Sequence, residues 1–181
     1  SGTLLRMLGK RNVFLIGPMG SGKSAVGRQL ARVLHAPFHD SDLEIERRTG
    51  VDIALIFEKE GEARFRERER DVIDELTAHD PIVLSTGGGA ILLPENRERM
   101  QQRGCVIYLE TSVAQQTERV RSTQHRPLLN GVDPATRLAE LMVVREPLYR
   151  GIADFTVPTD GRKVNVVVEE IQRLLRSAPS V

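Results

Sequence analysis

Residues Gly17–Ser24 read G-P-M-G-S-G-K-S, which satisfies G-x-x-x-x-G-K-S/T at every fixed position. In that pattern the backbone N–H groups of a glycine-rich turn wrap nucleotide phosphates. The lysine reaches the β- and γ-phosphates, and the hydroxyl binds Mg²⁺. The flanks agree with the motif. Val13-Phe14-Leu15-Ile16 is a short continuous apolar run, the mark of a strand buried on both faces. Beyond Lys23, the apolar residues Val26, Leu30, Val33 and Leu34 are spaced for one helix face. The loop therefore falls between a strand and a helix N-terminus, where the dipole and unpaired N–H groups favour anions. The expectation is an ATP or GTP site, with the fate of the last phosphate left open.

Working outward, strands and helices alternate. Pro37–His39 is expected as a short strand, followed by a charged helix over Leu43–Thr49 that Gly50 stops. Asp52 can cap a second short helix ending at Gly61, and Phe65, Val72, Ile73 and Leu76 form a further helical stripe. Ile82–Leu84 is a buried strand running into Gly87-Gly88-Gly89. Pro94 opens a helix that Gly104 ends, Val106–Leu109 is the next strand, and Thr111 can cap the helix after it. Asp133-Pro134 starts a helix that Pro147 should end or kink. Phe155–Val157 is the last strand, and Val164, Val167, Val168, Ile171, Leu174 and Leu175 give the last helix its apolar face. Such alternation implies an α/β protein, a parallel sheet with helices on both faces. Ligands in such folds gather at the carboxyl ends of the strands. The phosphate loop, Asp40–Asp42 and Gly87–Gly89 all follow predicted strands and should converge.

At 181 residues the chain is expected to be a single domain, 1–181. A net charge of +1 calls for neither nucleic acid nor an anionic membrane surface. No apolar run is long enough to span a bilayer. The one cysteine, Cys105, rules out an internal disulfide, suits a reducing cytoplasm, and reads as a small core residue. A monomer is expected, because no long apolar surface stripe asks for a partner.

Asp40 and Asp42 lie two apart, and an extended segment would point both carboxylates into the cleft. One suits Mg²⁺ through water; the other suits an acceptor hydroxyl. A helix N-cap needs only one of them. Three consecutive glycines cost backbone entropy, so Gly87–Gly89 reads as a place where backbone approaches a ligand closely. Arg64, Arg66, Arg68 and Arg70 alternate with acids, and for most of them a solvated, salt-bridged face is expected. Arg126, in the loop His125-Arg126-Pro127, and Arg145, before Pro147, are candidates to stabilise a transferring phosphoryl group. Residue types and spacing alone do not choose among these arginines.

Taken together, Gly17–Ser24, Asp40-Ser41-Asp42, Phe65-Arg66 with Glu69, Thr86-Gly87-Gly88-Gly89, Arg126-Pro127-Leu128-Leu129 and Arg145-Glu146-Pro147-Leu148-Tyr149 resemble the bacterial shikimate kinases in order and spacing. The resemblance spans about residues 10–175. It implies a three-layer α/β/α phosphate-loop NTPase fold with a five-stranded parallel sheet in the order 2-3-1-4-5. The strand and phosphate loop would occupy about 10–24, a helical shikimate-binding region about 40–70, and a mobile lid about 119–132. It further implies Mg²⁺-dependent transfer of the ATP γ-phosphoryl group to the 3-hydroxyl of shikimate. Gly20, Ser21, Gly22, Lys23, Ser24 and Ala25 would hold the nucleotide phosphates, and Ser24 the Mg²⁺, with Asp40 supporting it through water. Asp42 would bind shikimate hydroxyls and serve as base. Arg66 and Arg145 would grip the carboxylate, Glu69 would orient Arg66, and Gly87, Gly88 and Gly89 would add backbone contacts. Arg126 would close over the γ-phosphate, with Arg119 along the adenine and Arg162 in the adenine loop. Lys23, Asp42 and Arg126 are thus the catalytic set that the resemblance implies. A gluconate kinase shares the polyhydroxy-acid acceptor, but Arg66, Gly87–Gly89 and Arg145 fit the shikimate pattern better. A GTPase would need an Asn-Lys-x-Asp motif, and no asparagine begins one.

Overall fold

β1 (Asn12–Ile16) is the middle strand of the sheet, and all five of its residues are buried. The structure is a computed structural model and describes residues 12–79, 81–121, 131 and 133–177. After β1 come α1 (Lys23–Leu34), β2 (Phe38–Asp40), α2 (Ser41–Thr49) and α3 (Ile53–Thr77). β3 (Ile82–Ser85), a 3₁₀ turn (Ala90–Leu92), α4 (Pro94–Arg103), β4 (Cys105–Glu110) and α5 (Val113–Arg121) follow. α6 (Pro134–Ile152), β5 (Phe155–Pro158) and α7 (Val164–Ser177) complete the order. Every strand pair is parallel, and the sheet order is β2-β3-β1-β4-β5, as expected from the resemblance.

Alternation along the strands divides the core into two layers. Phe14, Ile16, Leu84, Val106 and Tyr108 pack with residues of α3, α4 and α6 on one face. Val13, Leu15, Val83, Ile107 and Leu109 pack with α1 and α7 on the other. Both faces are therefore dry, which is why these strands carry almost unbroken apolar runs. Cys105 belongs to the second layer, and burial pushes its thiol up to about 12, so it is a packing residue rather than a nucleophile.

Register sets the position of the site. Leu15 and Asp40 both pair with Ser85, so β1, β2 and β3 end at one level. The loops that leave them, including the phosphate loop, emerge together on one edge.

Three local expectations are corrected. Ser41 already begins α2, so Asp40 and Asp42 do not share an extended segment. Asp40 is the cap, its side chain accepting from Asp42 N and Leu43 N, and this bonding turns the chain into helix at once. Ser112 rather than Thr111 caps α5: its Oγ accepts from Gln115 N, while Thr111 Oγ1 pairs with Thr159 Oγ1 beside β5. Of the two outcomes expected at Pro147, ending the helix is the one overturned: α6 continues to Ile152. The buried face formed by Leu138, Arg145, Tyr149 and Ile152 offsets the backbone bond that the proline forgoes. Gly61 behaves as expected; its φ of 84° breaks α3 into two segments. No described helix is long and apolar enough to cross a membrane.

Candidate active site

At the shared strand edge lies a cleft of about 600 Å³, bounded by the phosphate loop, α2, α3, α6 and the Gly87–Gly89 turn. Gly22 caps α1 at φ 86° with no side-chain bond to the helix N–H groups, so the helix start offers its own donors. Lys23 is 8% exposed, and its Nζ donates to Gly17 O at 2.6 Å, Pro18 O at 2.8 Å and Ser21 Oγ at 3.3 Å. The ammonium thus folds back over its own loop. Gly20, Gly22, Lys23, Ser24 and Ala25 line the cleft, while Ser21 is buried beneath them.

Ser24 Oγ donates to Asp40 Oδ2 at 2.6 Å, and Asp40 Oδ1 caps α2. One carboxylate therefore ties the loop helix to β2 and leaves a hydroxyl–carboxylate oxygen pair at the loop mouth. Such a hard donor set fits Mg²⁺, which takes one or two protein oxygens and keeps several waters.

The other half of the cleft is built on buried charge. Among the four alternating arginines, three form the expected solvated pairs: Arg64–Glu67, Arg68–Glu60 and Arg70–Asp71. Arg66 is the exception. It is 9% exposed, with Nη1 donating to Glu69 Oε1 at 2.9 Å and Nη2 to Glu62 Oε2 at 3.1 Å. Burial opposes the charge on Arg66, but Glu69 and Glu62 outweigh it and hold the guanidinium ionised. Glu69 is fully buried, and burial pushes its carboxyl up against the pull of Arg66. Its Oε2 accepts no hydrogen bond among the described residues.

Gly87 and Gly89 fit tightly against these groups. A Cβ on Gly87 would sit 2.7 Å from Asp42 Oδ1 and 2.9 Å from Glu69 Oε2; one on Gly89 would sit 2.5 Å from the Arg66 Cζ. The glycine run is there because side chains press against its backbone. Gly87 N also donates to Ser41 Oγ at 3.1 Å, which pins the turn to α2.

Arg145 differs from Arg66 in a decisive way. It is 4% exposed and forms no ion pair among the described residues. Burial lowers its pKa, so a cation is held in a poorly solvated place beside Gly88. A buried cation of this kind fits an incoming anion. The neighbouring Tyr149, which the sequence reading left without a role, sends its hydroxyl to Gly88 O at 2.6 Å.

Arg119 lines the cleft, with Nη1 donating to Gly20 O at 2.8 Å, so it braces the phosphate loop from α5. Arg162 points elsewhere: it donates to Pro158 O at 2.7 Å and pairs with Glu170 at 2.9 Å, outside the cleft lining. Arg126 and the greater part of the expected lid lie outside the described residues. Glu62 was also missed in the sequence, although its place four residues before Arg66 on a helix is a pairing signal.

A nucleotide loop facing two buried arginines, a carboxylate and a glycine turn suits phosphoryl transfer to a small anionic acceptor. Comparison with known proteins agrees. The sequence model of the shikimate kinase family matches residues 19–176. A shikimate kinase of Thioalkalivibrio sulfidiphilus is 54% identical over 165 residues, 91% of this chain and 87% of the relative. One of Pasteurella multocida is 54% identical over 170 residues, covering 93% and 97% of the two chains. The solved structure of the Acinetobacter baumannii shikimate kinase in complex with shikimate superposes with a TM-score of 0.90 at 47% identity, over 92% of this chain and 93% of that one. With the sheet order, the cleft and this similarity in agreement over nearly the whole chain, the protein belongs to the shikimate kinase family.

Proposed function

We propose that MgATP and shikimate meet in this cleft, and that its residues divide the transfer of the γ-phosphoryl group to the 3-hydroxyl of shikimate. The observation that carries the reading is Arg145, a buried cation with no ion pair among the described residues, adjacent to Arg66 and the glycine turn. Two guanidinium groups suit a carboxylate through paired, charge-assisted hydrogen bonds. Arg66 is preset by Glu69 and Glu62, and Arg145 supplies the charge that the substrate balances.

Asp42, against Gly87, accepts from the acceptor hydroxyls and takes the 3-hydroxyl proton as the oxygen–phosphorus bond forms and ADP departs. Lys23 and the α1 N–H groups stabilise the charge that moves through the phosphates. When bound, Mg²⁺ neutralises phosphate charge, and Ser24 and Asp40 are the residues that would hold it. Arg126 closes over the γ-phosphate from the lid, while Arg119 and Arg162 serve the adenine side. For Arg162 this role requires release from Glu170. Catalysis on this scheme is positioning plus electrostatics, which phosphoryl transfer chiefly demands. The chain is proposed to act as a cytoplasmic monomer, in line with its lone buried cysteine.

ADP release from MgATP is the test, run with shikimate, gluconate and AMP in parallel and with product mass determined. Shikimate alone should drive ADP release, with shikimate 3-phosphate as product. Release driven by gluconate or AMP instead would discard the acceptor roles of Arg66, Arg145 and Asp42.

A further inference from the structure

Tyr149 is 1% exposed and lies one helical turn after Arg145 on α6. Its hydroxyl donates to Gly88 O at 2.6 Å, and the nearby Arg145 guanidinium pulls the phenol pKa down against the larger opposing effect of burial. Arg145 Nη1 in turn comes within 3.5 Å of where a Gly88 Cβ would lie. Tyr149 and Arg145 thus meet at Gly88, the hydroxyl on its carbonyl and the guanidinium beside its Cα.

The junction matters because of what it holds. The Gly88–Gly89 peptide is flanked by two residues without side chains, so its plane rotates at little steric cost. Fixing the Gly88 carbonyl fixes the whole planar unit, including the direction of the Gly89 N–H. Arg145 has no carboxylate to set its rotamer among the described residues, and the phenol is the group beside it. The tyrosine itself is well anchored. Its ring stacks on that of Tyr108 at 5.0 Å. Burial also raises the Tyr149 pKa, keeping the hydroxyl a donor.

We propose that Tyr149 is a positioning residue for the acceptor: its hydroxyl holds the Gly88–Gly89 peptide and the Arg145 guanidinium in register, so that the shikimate cradle is set before shikimate arrives. The inference rests on the proposed acceptor roles of Gly88 and Arg145.

Steady-state kinetics on Tyr149→Phe, Tyr108→Phe, Arg145→Ala and the Tyr149→Phe/Arg145→Ala double variant test it. Tyr149→Phe keeps the ring stack and should raise shikimate KM about tenfold, leaving ATP KM within about twofold. Tyr108→Phe removes a hydroxyl from the same stack without touching the cleft and should leave both constants in place. In the double variant, Tyr149→Phe should add less than about threefold to the effect of Arg145→Ala. An unmoved shikimate KM in Tyr149→Phe, equal rises in both KM values, or fully multiplicative effects would each overturn the role. If Arg145→Ala raises shikimate KM but Tyr149→Phe does not, the acceptor site stands and the positioning role alone falls. If Arg145→Ala has no effect, the acceptor site itself falls, and the positioning role with it. Should Tyr149→Phe not fold, fluorotyrosine in the Tyr108→Phe background labels Tyr149 alone, since the chain has two tyrosines. Its fluorine resonance should then move with shikimate, and an unmoved resonance overturns the proposal.

Discussion

Lys23→Met should fold and still take up shikimate, yet lose about a thousandfold in kcat. The reason lies in what the ammonium can do that a thioether cannot. It brings three donors and a full charge to a nearly water-free place, where Coulomb terms are far stronger than in solution. It donates to the Gly17 and Pro18 carbonyls and to Ser21 Oγ, all on the loop itself. None of these three is a charged group, and methionine preserves the apolar stem. Charge that develops on the transferring phosphoryl group does need the ammonium, so the loss should fall on kcat rather than on shikimate KM. Saturation kinetics in both substrates, beside a thermal melt, check this. A kcat within tenfold of the parent would show that the loop amides suffice.

Gly89→Ala should be the most damaging methyl group that can be added to the acceptor side. The new Cβ would lie 2.5 Å from the Arg66 Cζ, so the guanidinium has to move. A flexible arginine on the surface would simply swing away. Arg66 cannot, being 9% exposed and bonded to Glu69 and Glu62. Moving it strips Glu69, fully buried, of its charge partner, and breaking a buried pair costs about 3–5 kcal/mol. The variant should therefore melt earlier and lose on the order of a hundredfold in kcat/KM for shikimate. The three atoms nearest to the new Cβ all belong to Arg66, so nucleotide affinity should hold. A denaturant midpoint together with shikimate and ATP titrations separates the two effects. Equal loss of both affinities would mean that the turn serves the whole cleft rather than its acceptor half.

Much of the fold could be read directly because an all-parallel sheet buried on both faces writes its strands as apolar runs. Val13–Ile16, Ile82–Leu84 and Val106–Leu109 were visible for that reason. The phosphate loop was visible because its chemistry fixes residue types at fixed spacing. Details decided by a third element were not. Thr111 and Ser112 are equal candidates for a cap until Thr159 on the neighbouring segment claims Thr111. The reach of Asp42 was foreseen from an extended geometry, yet it lies within α2, and packing against Gly87 is what brings it to the cleft. Arg66 could have been told from Arg64, Arg68 and Arg70. It shares a helix face with Glu69 and Ile73, inside the buried stripe, where a charge pair must be internal. Tyr149 gave no such signal: its partner Gly88 lies 61 residues away in the chain, and only the packing of α6 beside the glycine turn joins them.

One measurement bears most directly on the buried cation as carboxylate receptor: kcat/KM for shikimate and for its methyl ester, in the parent chain and in Arg145→Ala. Esterification removes the acceptor's charge and leaves its hydroxyls in place. The parent chain should prefer shikimate over the ester by on the order of fiftyfold, and Arg145→Ala should lose most of that preference. An undiminished preference in Arg145→Ala would contradict the assignment and place the carboxylate elsewhere.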